Sequence, residues 1–262
     1  AKMFMTVVGL AVAAIPEGLP AILTVTLAIG VMRLAERSAI IRRLPVVETL
    51  GSVSVICSDK TGTLTRNEMT VQSIATVDGL YTVEGTGYIP RGGFLLEDKP
   101  VEADQTPLLR QAIRAALLCN DASLEQKADD WRVHGDPMEG ALVVAAVKAA
   151  LEPDEERRQH PRTDLIPFES EYKFMATLHH GYDGRAMIYL KGAPEQVLAR
   201  CANVAGEELP LDAERWRQQV EELANRGQRV LAVACKPAHA HQQEVNFNEV
   251  GEGLLLLGLF GL

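Results

Sequence analysis

A carboxylate, an ammonium group and hydroxyl groups follow one another in the segment from Asp59 to Thr63. The segment comes just after a short apolar run, residues 53–57, which predicts a buried strand. An aspartate at the end of a strand can attack a phosphoryl group and form an aspartyl-phosphate. Lys60 and the hydroxyl groups of Thr61 and Thr63 can hold the incoming phosphate and its Mg²⁺. The simpler alternative is a strand followed by a polar turn, in which Asp59 only caps the turn.

The segment Asp59–Thr65, Asp-Lys-Thr-Gly-Thr-Leu-Thr, resembles the phosphorylation motif of the P-type ATPases without a substitution. The resemblance implies that Asp59 takes the γ-phosphate of ATP and that Lys60 neutralises its charge. It also implies that the Asp59 carboxylate and the Thr61 carbonyl hold Mg²⁺. The apolar run before Asp59 would then be the opening strand of a haloacid-dehalogenase-like phosphorylation domain.

Composition limits the classes of function that this chain can have. Its 262 residues suffice for one large domain or two smaller ones. The formal net charge of −9 gives no electrostatic support for a nucleic-acid partner. The 4 cysteines are scattered and form no Cys-x-x-Cys pair, which indicates reduced thiols in a cytosolic compartment.

The stretch from Met3 to Met32 is long and apolar enough to span a bilayer, and Glu17 is its one ionisable residue. Pro16 and Pro20 each lack a backbone donor, so we expect the helix to unwind between them. The freed carbonyls of Val12, Ala13 and Ile15 can then coordinate a cation beside the Glu17 carboxylate. The alternative is a proline-kinked helix in which Glu17 pairs with a neighbouring helix.

The order Pro16-Glu17-Gly18-Leu19-Pro20 resembles the fourth transmembrane helix of the cation pumps that are similar to calcium ATPases. The resemblance implies that Val12, Ala13, Ile15 and Glu17 ligate the transported ion, with Ca²⁺ as the expected ion. Sodium–potassium pumps share Pro-Glu-Gly-Leu, so the ion stays open. The arginines that follow, at positions 33, 37, 42 and 43, place residues after 33 in the cytoplasm by the positive-inside rule. We expect a helical stalk over residues 33–51, in a multi-pass protein of a bacterial plasma membrane.

Residues 68–262 mix helical patterns, as over residues 108–119, with strand patterns, as over residues 254–259, and Tyr182-Asp183-Gly184 predicts a hairpin turn. They contain two elements that resemble the nucleotide domain of P-type pumps. In the first, Asp136, Pro137 and Glu139 form a pattern typical of a helix capping box. The resemblance adds that Glu139 reaches the nucleotide. The second element surrounds Phe168 and Lys173. Taken alone, Phe168 is expected in a core, whereas the resemblance implies that it stacks on adenine beside Lys173.

Two further elements complete the resemblance. In Lys191-Gly192-Ala193-Pro194-Glu195, Gly192 lets the backbone approach a ligand and Lys191 can meet adenine or phosphate at a strand end. The alternative is a strand-to-helix turn with a solvated lysine. Arg229 follows Gly227 and begins an apolar run. The resemblance assigns it to the nucleotide phosphates, and the alternative is an exposed arginine on a surface strand.

The fold class expected is a multidomain α/β chain. Its parts are an unwound transmembrane helix in residues 1–32, a stalk and the start of the phosphorylation domain in residues 33–67, and an α+β nucleotide-binding domain with an antiparallel sheet in residues 68–262. The function expected is ATP-driven cation transport, with ATP and Mg²⁺ as cofactors. Its partners would be the lipid bilayer and other parts of the same pump: an actuator domain, the rest of the phosphorylation domain and further transmembrane helices.

Two rival functions differ in chemistry. A haloacid-dehalogenase-type phosphatase carries a second aspartate two positions after the nucleophile, as general acid and base, and that position is Thr61 here. A phosphoenzyme without a resident acid–base group should persist, which suits a pump. The other rival is a nucleotide-binding module without turnover, which is what we expect of this part of a pump in isolation.

Overall fold

The computed structural model describes residues 2–13, 18–65, 67–127, 130–181, 184–207 and 210–262. The chain divides into two compact units, Ala1–Leu64 and Thr65–Leu262. The helices of the first unit are α1 (Lys2–Ala13), α2 (Leu19–Glu36) and α3 (Val46–Gly51), followed by one π-helical turn at Lys60–Leu64. Among the described residues, α2 is the helix whose length and composition would allow it to cross a membrane, with a mean hydropathy of 1.6.

The predicted break in the apolar stretch lies between α1 and α2. Residues 14–17 are outside the described residues, so their unwinding stays a prediction. Pro20 does not interrupt a helix, because it lies in the first turn of α2, where a missing backbone donor costs little. The predicted stalk is not continuous: α2 ends at Glu36, Ser38 adopts a left-handed φ of 62°, and α3 begins only after Pro45.

The strand predicted for residues 53–57 is not formed in this structure. Residues 53–59 are irregular and exposed. A strand is stable only when a neighbour satisfies its backbone groups, and in the described part of the chain no strand pairs with this segment.

The second unit is built on a ten-stranded sheet, counted over the described residues. This sheet and a separate two-stranded hairpin contain the described strands of the unit. They are β1 (Ser73–Thr76), β2 (Gly79–Val83), β3 (Phe94–Leu96), β4 (Lys99–Val101), β5 (Ser123–Lys127), β6 (Asp130–His134), β7 (Arg162–Glu169), β8 (Phe174–His180), β9 (Ala186–Gly192), β10 (Cys201–Val204), β11 (Val230–Ala238) and β12 (Leu254–Gly261). The sheet order is β4-β3-β2-β1-β12-β11-β9-β8-β7. All these pairs are antiparallel, β10 runs parallel to β12, and β5 and β6 form a separate hairpin.

Helices cover both faces of this sheet. They are α4 (Pro107–Leu118), α5 (Pro137–Lys148), α6 (Pro153–Gln159), α7 (Pro194–Leu198) and α8 (Ala213–Asn225). Met175 of β8 and Tyr189 of β9 belong to a core that includes α4 and α5. Their neighbours Ala176 and Leu190 belong to a second core with α7 and α8. This alternation is what a sheet buried on both sides requires. The α/β architecture with an antiparallel sheet is therefore confirmed.

The hairpin predicted around residues 182–183 is formed by β8 and β9. The two strands pair antiparallel from Phe174 with Gly192 to His180 with Ala186. The turn itself lies outside the described residues.

Candidate functional site

The ammonium group of Lys191 lies in contact with the carboxylate of Glu139. Lys191 Nζ donates to Glu139 Oε1 at 2.7 Å, and the two side chains are 6% and 17% exposed. Lys191 lies on β9, and the first turn of α5 carries Glu139 over this face of the sheet. A buried charge is tolerated when it is paired and hydrogen-bonded. Glu139 and Lys191 therefore depend on each other for their buried positions.

The start of α5 forms half of the predicted capping box. Asp136 is the N-cap, and its Oδ1 accepts from Met138 N at 2.9 Å and Glu139 N at 3.2 Å. The Glu139 carboxylate does not return to this cap. It turns to Lys191, and its Oε2 accepts from Asp121 N at 3.1 Å.

Asn120 makes a hydrogen bond to the backbone of Glu139, a contact that the sequence analysis does not predict. Its Nδ2 donates to the Glu139 carbonyl at 2.9 Å, and its Oδ1 accepts from Ala122 N at 2.8 Å. Asn120 is buried and follows the end of α4. A polar residue just after a helix was the available sequence signal, but the same signal is typical of any loop.

The β5–β6 hairpin packs directly on α5 at Gly140. A Cβ atom at Gly140 would lie 2.3 Å from Val133 Cγ1 of β6, so the position has room only for glycine. The hairpin therefore lies against the helix turn that carries Glu139.

Phe168 is exposed, not part of a core. It lies on β7 and 58% of its surface is accessible. The register shifts between Ile166 and Glu169, and Glu169 pairs with Phe174. This irregularity puts Phe168 beside Met175, whose partner on β9 is Lys191. The Phe168 ring is thus exposed to solvent on β7, and β8 lies between it and Lys191 on β9.

Lys173 lies in the turn between β7 and β8 with a left-handed φ of 57°. Its Nζ pairs with Glu195 Oε1 at 3.3 Å, and both side chains are exposed. The sequence predicts that a ligand approaches the backbone at Gly192, but in the structure the backbone of Lys173 occupies that space. A Cβ at Gly192 would lie 2.4 Å from the carbonyl oxygen of Lys173.

Arg229 precedes β11 and is exposed. Its backbone exchanges two hydrogen bonds with Leu262, at 2.9 and 3.0 Å. Val233 pairs with Lys191, and Arg229 is four residues before it. At a rise of about 3.4 Å per residue the two Cα positions are roughly 13 Å apart along the strand, on the same face. Arg229 therefore lies on the same face of the sheet as Lys191 but is distant from it.

The second unit thus brings Glu139 and Lys191 into contact, with Phe168 nearby on the same face and Lys173 at the adjoining strand end. Aromatic rings stack on bases, and ammonium and guanidinium groups bind phosphates. The face has the chemistry that an adenine nucleotide requires.

The Asp59 segment lies in the first unit. The Asp59 side chain is exposed, and its Oδ1 accepts from Lys60 N at 2.7 Å. Gly62 has a φ of 73°, which allows the π-helical turn, while the Thr61 side chain is outside what the structure describes. One carboxylate and one backbone carbonyl suit Mg²⁺, which completes its shell with waters and substrate phosphates. The donor set therefore fits Mg²⁺ as a partial site.

The structure describes two of the four predicted cation ligands. Val12 and Ala13 are exposed residues at the end of α1. Ile15 and Glu17 lie outside the described residues.

Comparison with known proteins gives the family. The family model "P-type ATPase, cytoplasmic domain N" matches residues 108–262. The chain is 47% identical to the cation-transporting ATPase pma1 of Synechocystis sp., over 100% of this chain and 30% of that protein. It is 37% identical to a calcium-transporting ATPase of Bacillus subtilis, over 100% of this chain and 30% of that protein. It is 42% identical to calcium-transporting ATPase type 2C member 1 of Mus musculus, over 100% of this chain and 28% of that protein.

The chain spans about 30% of the length of these curated relatives. The family model covers more than half of its residues. This chain belongs to the P-type ATPases.

Proposed function

We propose that this chain is part of an ATP-driven cation pump that works through an aspartyl-phosphate at Asp59, with Ca²⁺ as the transported ion. The observation that carries the proposal is the unsubstituted Asp59–Thr65 segment, with Asp59 exposed to solvent, in a member of the P-type ATPases. Support for Ca²⁺ comes from relatives named as calcium-transporting ATPases.

ATP binds on the face that carries the Glu139–Lys191 pair. The exposed ring of Phe168 stacks on adenine, and Lys173 and Lys191 contribute positive charge at its edge. Glu139 orients Lys191 through the 2.7 Å contact. Arg229, farther along the same face, meets the phosphates.

The chemical step is attack of an Asp59 carboxylate oxygen on the γ-phosphorus of ATP. A new oxygen–phosphorus bond forms while the bond to the bridging β–γ oxygen breaks, and ADP leaves with that electron pair. Lys60 balances the charge that develops on the phosphoryl oxygens. Asp59 and the Thr61 carbonyl would hold Mg²⁺, which supplies charge neutralisation when bound.

Transport depends on the apolar segment at residues 1–32. Glu17 and the carbonyls of Val12, Ala13 and Ile15 hold the cation, and phosphorylation of Asp59 changes access to it. Residues 33–67 connect this segment to the nucleotide-binding domain in residues 68–262, on the cytoplasmic side of a multi-pass membrane protein. The opening strand before Asp59 forms once the rest of a haloacid-dehalogenase-like phosphorylation domain supplies its neighbours. The actuator domain and the other transmembrane helices complete the pump.

A second candidate is a sodium–potassium-type or other cation pump of the family. The relative from Synechocystis sp. is named only as a cation-transporting ATPase, which leaves room for another ion. The 262 residues alone should bind ATP without turnover.

The test is phosphoenzyme formation by the whole pump. Asp59→Asn should abolish acid-stable label from γ-labelled ATP and leave ATP binding intact, because the nucleotide contacts lie elsewhere in the chain. Asp98→Asn, at an exposed turn of the second unit, is the matched control and should label normally. Undiminished label in the Asp59→Asn pump would refute the assignment of the nucleophile.

A further inference from the structure

A cavity of about 420 Å³ lies between α4 and the β8–β9 hairpin. Its volume is in the range of small-molecule sites, about 300–1,000 Å³. Its walls come from the first turns of α4, from the hairpin end of β8 and β9, and from His160, which follows α6. Among its described lining residues there is no Glu139, Phe168 or Lys191.

The walls of this cavity are basic in a chain whose net charge is −9. Arg110, Arg114 and Arg185 line it, and the facing carboxylates are Asp104 on the wall and Glu156, which pairs with Arg114 at 2.8 Å. Within the described residues, three guanidinium groups thus face two carboxylates. Such a concave wall concentrates anions locally.

Arg110 offers donors to a ligand. Within the described part of the chain, the one hydrogen bond of its guanidinium group runs from Nη1 to the Ala149 carbonyl at 3.3 Å. A guanidinium group carries five N–H donors, so most of its donors face the cavity or solvent. The planar fork of an arginine matches the oxygens of a phosphate group.

The beginning of α4 adds to the positive potential. Thr106 is its N-cap and makes no side-chain hydrogen bond to the first turn. The first N–H groups of this 12-residue helix are therefore left for other acceptors, and the helix dipole is positive there. Pro107 and Arg110, from these first turns, line the cavity.

His179 supplies a buried polar atom at the wall. It is 3% exposed, and its ring lies 5.5 Å from that of Tyr189. Nδ1 lies 2.9 Å from the His160 carbonyl and donates to it, so the other nitrogen of a neutral ring is an acceptor. Nε2 has no hydrogen-bond partner within the described residues. A buried orphan of this kind indicates a water or a ligand donor at the wall.

We propose that this cavity is a second ligand site, which takes a small molecule carrying a phosphate group. The phosphate meets Arg110 and Arg185 near the start of α4. Among the described residues, Asn120 and Glu139 do not line this cavity, whereas His160 and His179 also line a neighbouring cavity that reaches Asn120. At 1.5 Å per residue, Arg110 and the end of α4 are about 12 Å apart. The proposal does not depend on the nucleotide contacts described above.

The experiment is a titration of the 262-residue chain, held in detergent, with inorganic pyrophosphate at constant ionic strength. Arginine side-chain Nε–H signals are followed by NMR. We expect saturable shifts of Arg110 and Arg185, with a Kd at or below about 1 mM. Arg110→Gln should weaken binding about tenfold, and Arg185→Gln should weaken it too. Arg132→Gln, an exposed arginine on β6, removes the same charge elsewhere and should change the Kd less than about twofold. Arg229→Gln, which removes a proposed phosphate contact of the nucleotide face, should leave the cavity shifts unchanged.

Shifts that rise linearly without saturation, or equal affinity in the wild type and Arg110→Gln, would mean an adventitious ion only and would overturn the proposal. Loss of the shifts in Arg229→Gln would overturn it as well, because the pyrophosphate would then bind at the nucleotide face. Arg114 is not substituted in this experiment, because its loss would leave the buried Glu156 without this ion pair. If Arg110→Gln fails to fold by circular dichroism, Arg185→Gln decides the matter alone.

Discussion

Lys191 on β9 and Glu139 at the start of α5 form an ion pair of 2.7 Å with both side chains largely withdrawn from water. The residues are 52 positions apart, so the contact ties helix α5 to the sheet. The geometry gives Glu139 two roles at once, as the partner of a buried cation and as a neighbour of the proposed nucleotide.

Glu139→Ala should destabilise the second unit by about 3 kcal/mol, because it leaves the Lys191 ammonium group buried without a partner. Glu139→Gln should cost less, since the single amide oxygen can still accept from one of the two donors, Lys191 Nζ or Asp121 N. The matched control is Glu195→Ala, which breaks the exposed pair with Lys173 and should cost less than about 1 kcal/mol. Urea unfolding measures all three. Equal losses for Glu139→Ala and Glu195→Ala would contradict a buried pair.

Phe168→Ala should lower ATP affinity by roughly tenfold or more, because base–aromatic stacking contributes about 1–3 kcal/mol. The free energy of unfolding should change by less than about 0.5 kcal/mol, since the ring is exposed. Phe174→Ala is the contrasting variant. That ring is fully buried, so its loss should cost about 3–5 kcal/mol.

Calorimetric titration with ATP and thermal unfolding of the same samples separate the two effects. We also expect Phe168→Ala to cost more ATP affinity than Glu139→Ala, because it removes the whole stacking face. An early-melting Phe168→Ala with normal ATP affinity would argue against the adenine site.

Glu17→Gln should shift the Ca²⁺ dependence of phosphorylation by ATP to higher concentration, with little change in nucleotide affinity. The reason is the loss of the one ionisable group between Met3 and Met32. Val12→Ala is the control, because its proposed ligand is a backbone carbonyl that the substitution keeps. An unchanged Ca²⁺ midpoint in Glu17→Gln would favour a structural pairing of Glu17 with a neighbouring helix.

His179 should make the second unit less stable in acid. Burial lowers the pKa of His179 from 6.5 to about 4, with further lowering from the nearby Arg162. Between pH 4 and pH 6.5, His179 is protonated in the unfolded chain but neutral in the folded chain. The stabilisation is therefore present above pH 6.5 and is lost as the pH falls toward 4, by up to about 1.4 kcal/mol per pH unit.

His179→Asn removes this titration while keeping a donor toward the His160 carbonyl. Its free energy of unfolding should depend less on pH between about 4 and 6.5 than that of the wild type. His241→Asn, at an exposed position, should leave the wild-type dependence in place. Parallel pH profiles for wild type and His179→Asn would rule out His179 as the source.

Long periodic elements were predictable from the sequence. The helix expected over residues 108–119 is α4 at Pro107–Leu118, and the strand expected over residues 254–259 is β12 at Leu254–Gly261. Short or polar strands were missed. The strand β3 has 3 residues, too few for a period, and β5 is exposed along nearly its whole length. Pro167 lowers the strand propensity of β7, which nevertheless forms at the edge of the sheet.

The site residues were predictable as types but not as contacts. Lys191 was expected at a strand end and lies there, yet its pairing with Glu139 depends on how α5 docks on the sheet. No local pattern encodes that docking. The exposure of Phe168 depends on the register shift beside it, which a one-dimensional pattern does not contain.

The left-handed backbone at Lys173 sets a limit on engineering this domain. A lysine in that conformation costs about 1–2 kcal/mol relative to glycine. Lys173→Gly would therefore relieve strain while removing a cation from the proposed nucleotide face. Selection for heat resistance alone would favour the glycine, and selection for ATP use would oppose it. Position 173 is thus where we expect stability and activity to trade against each other.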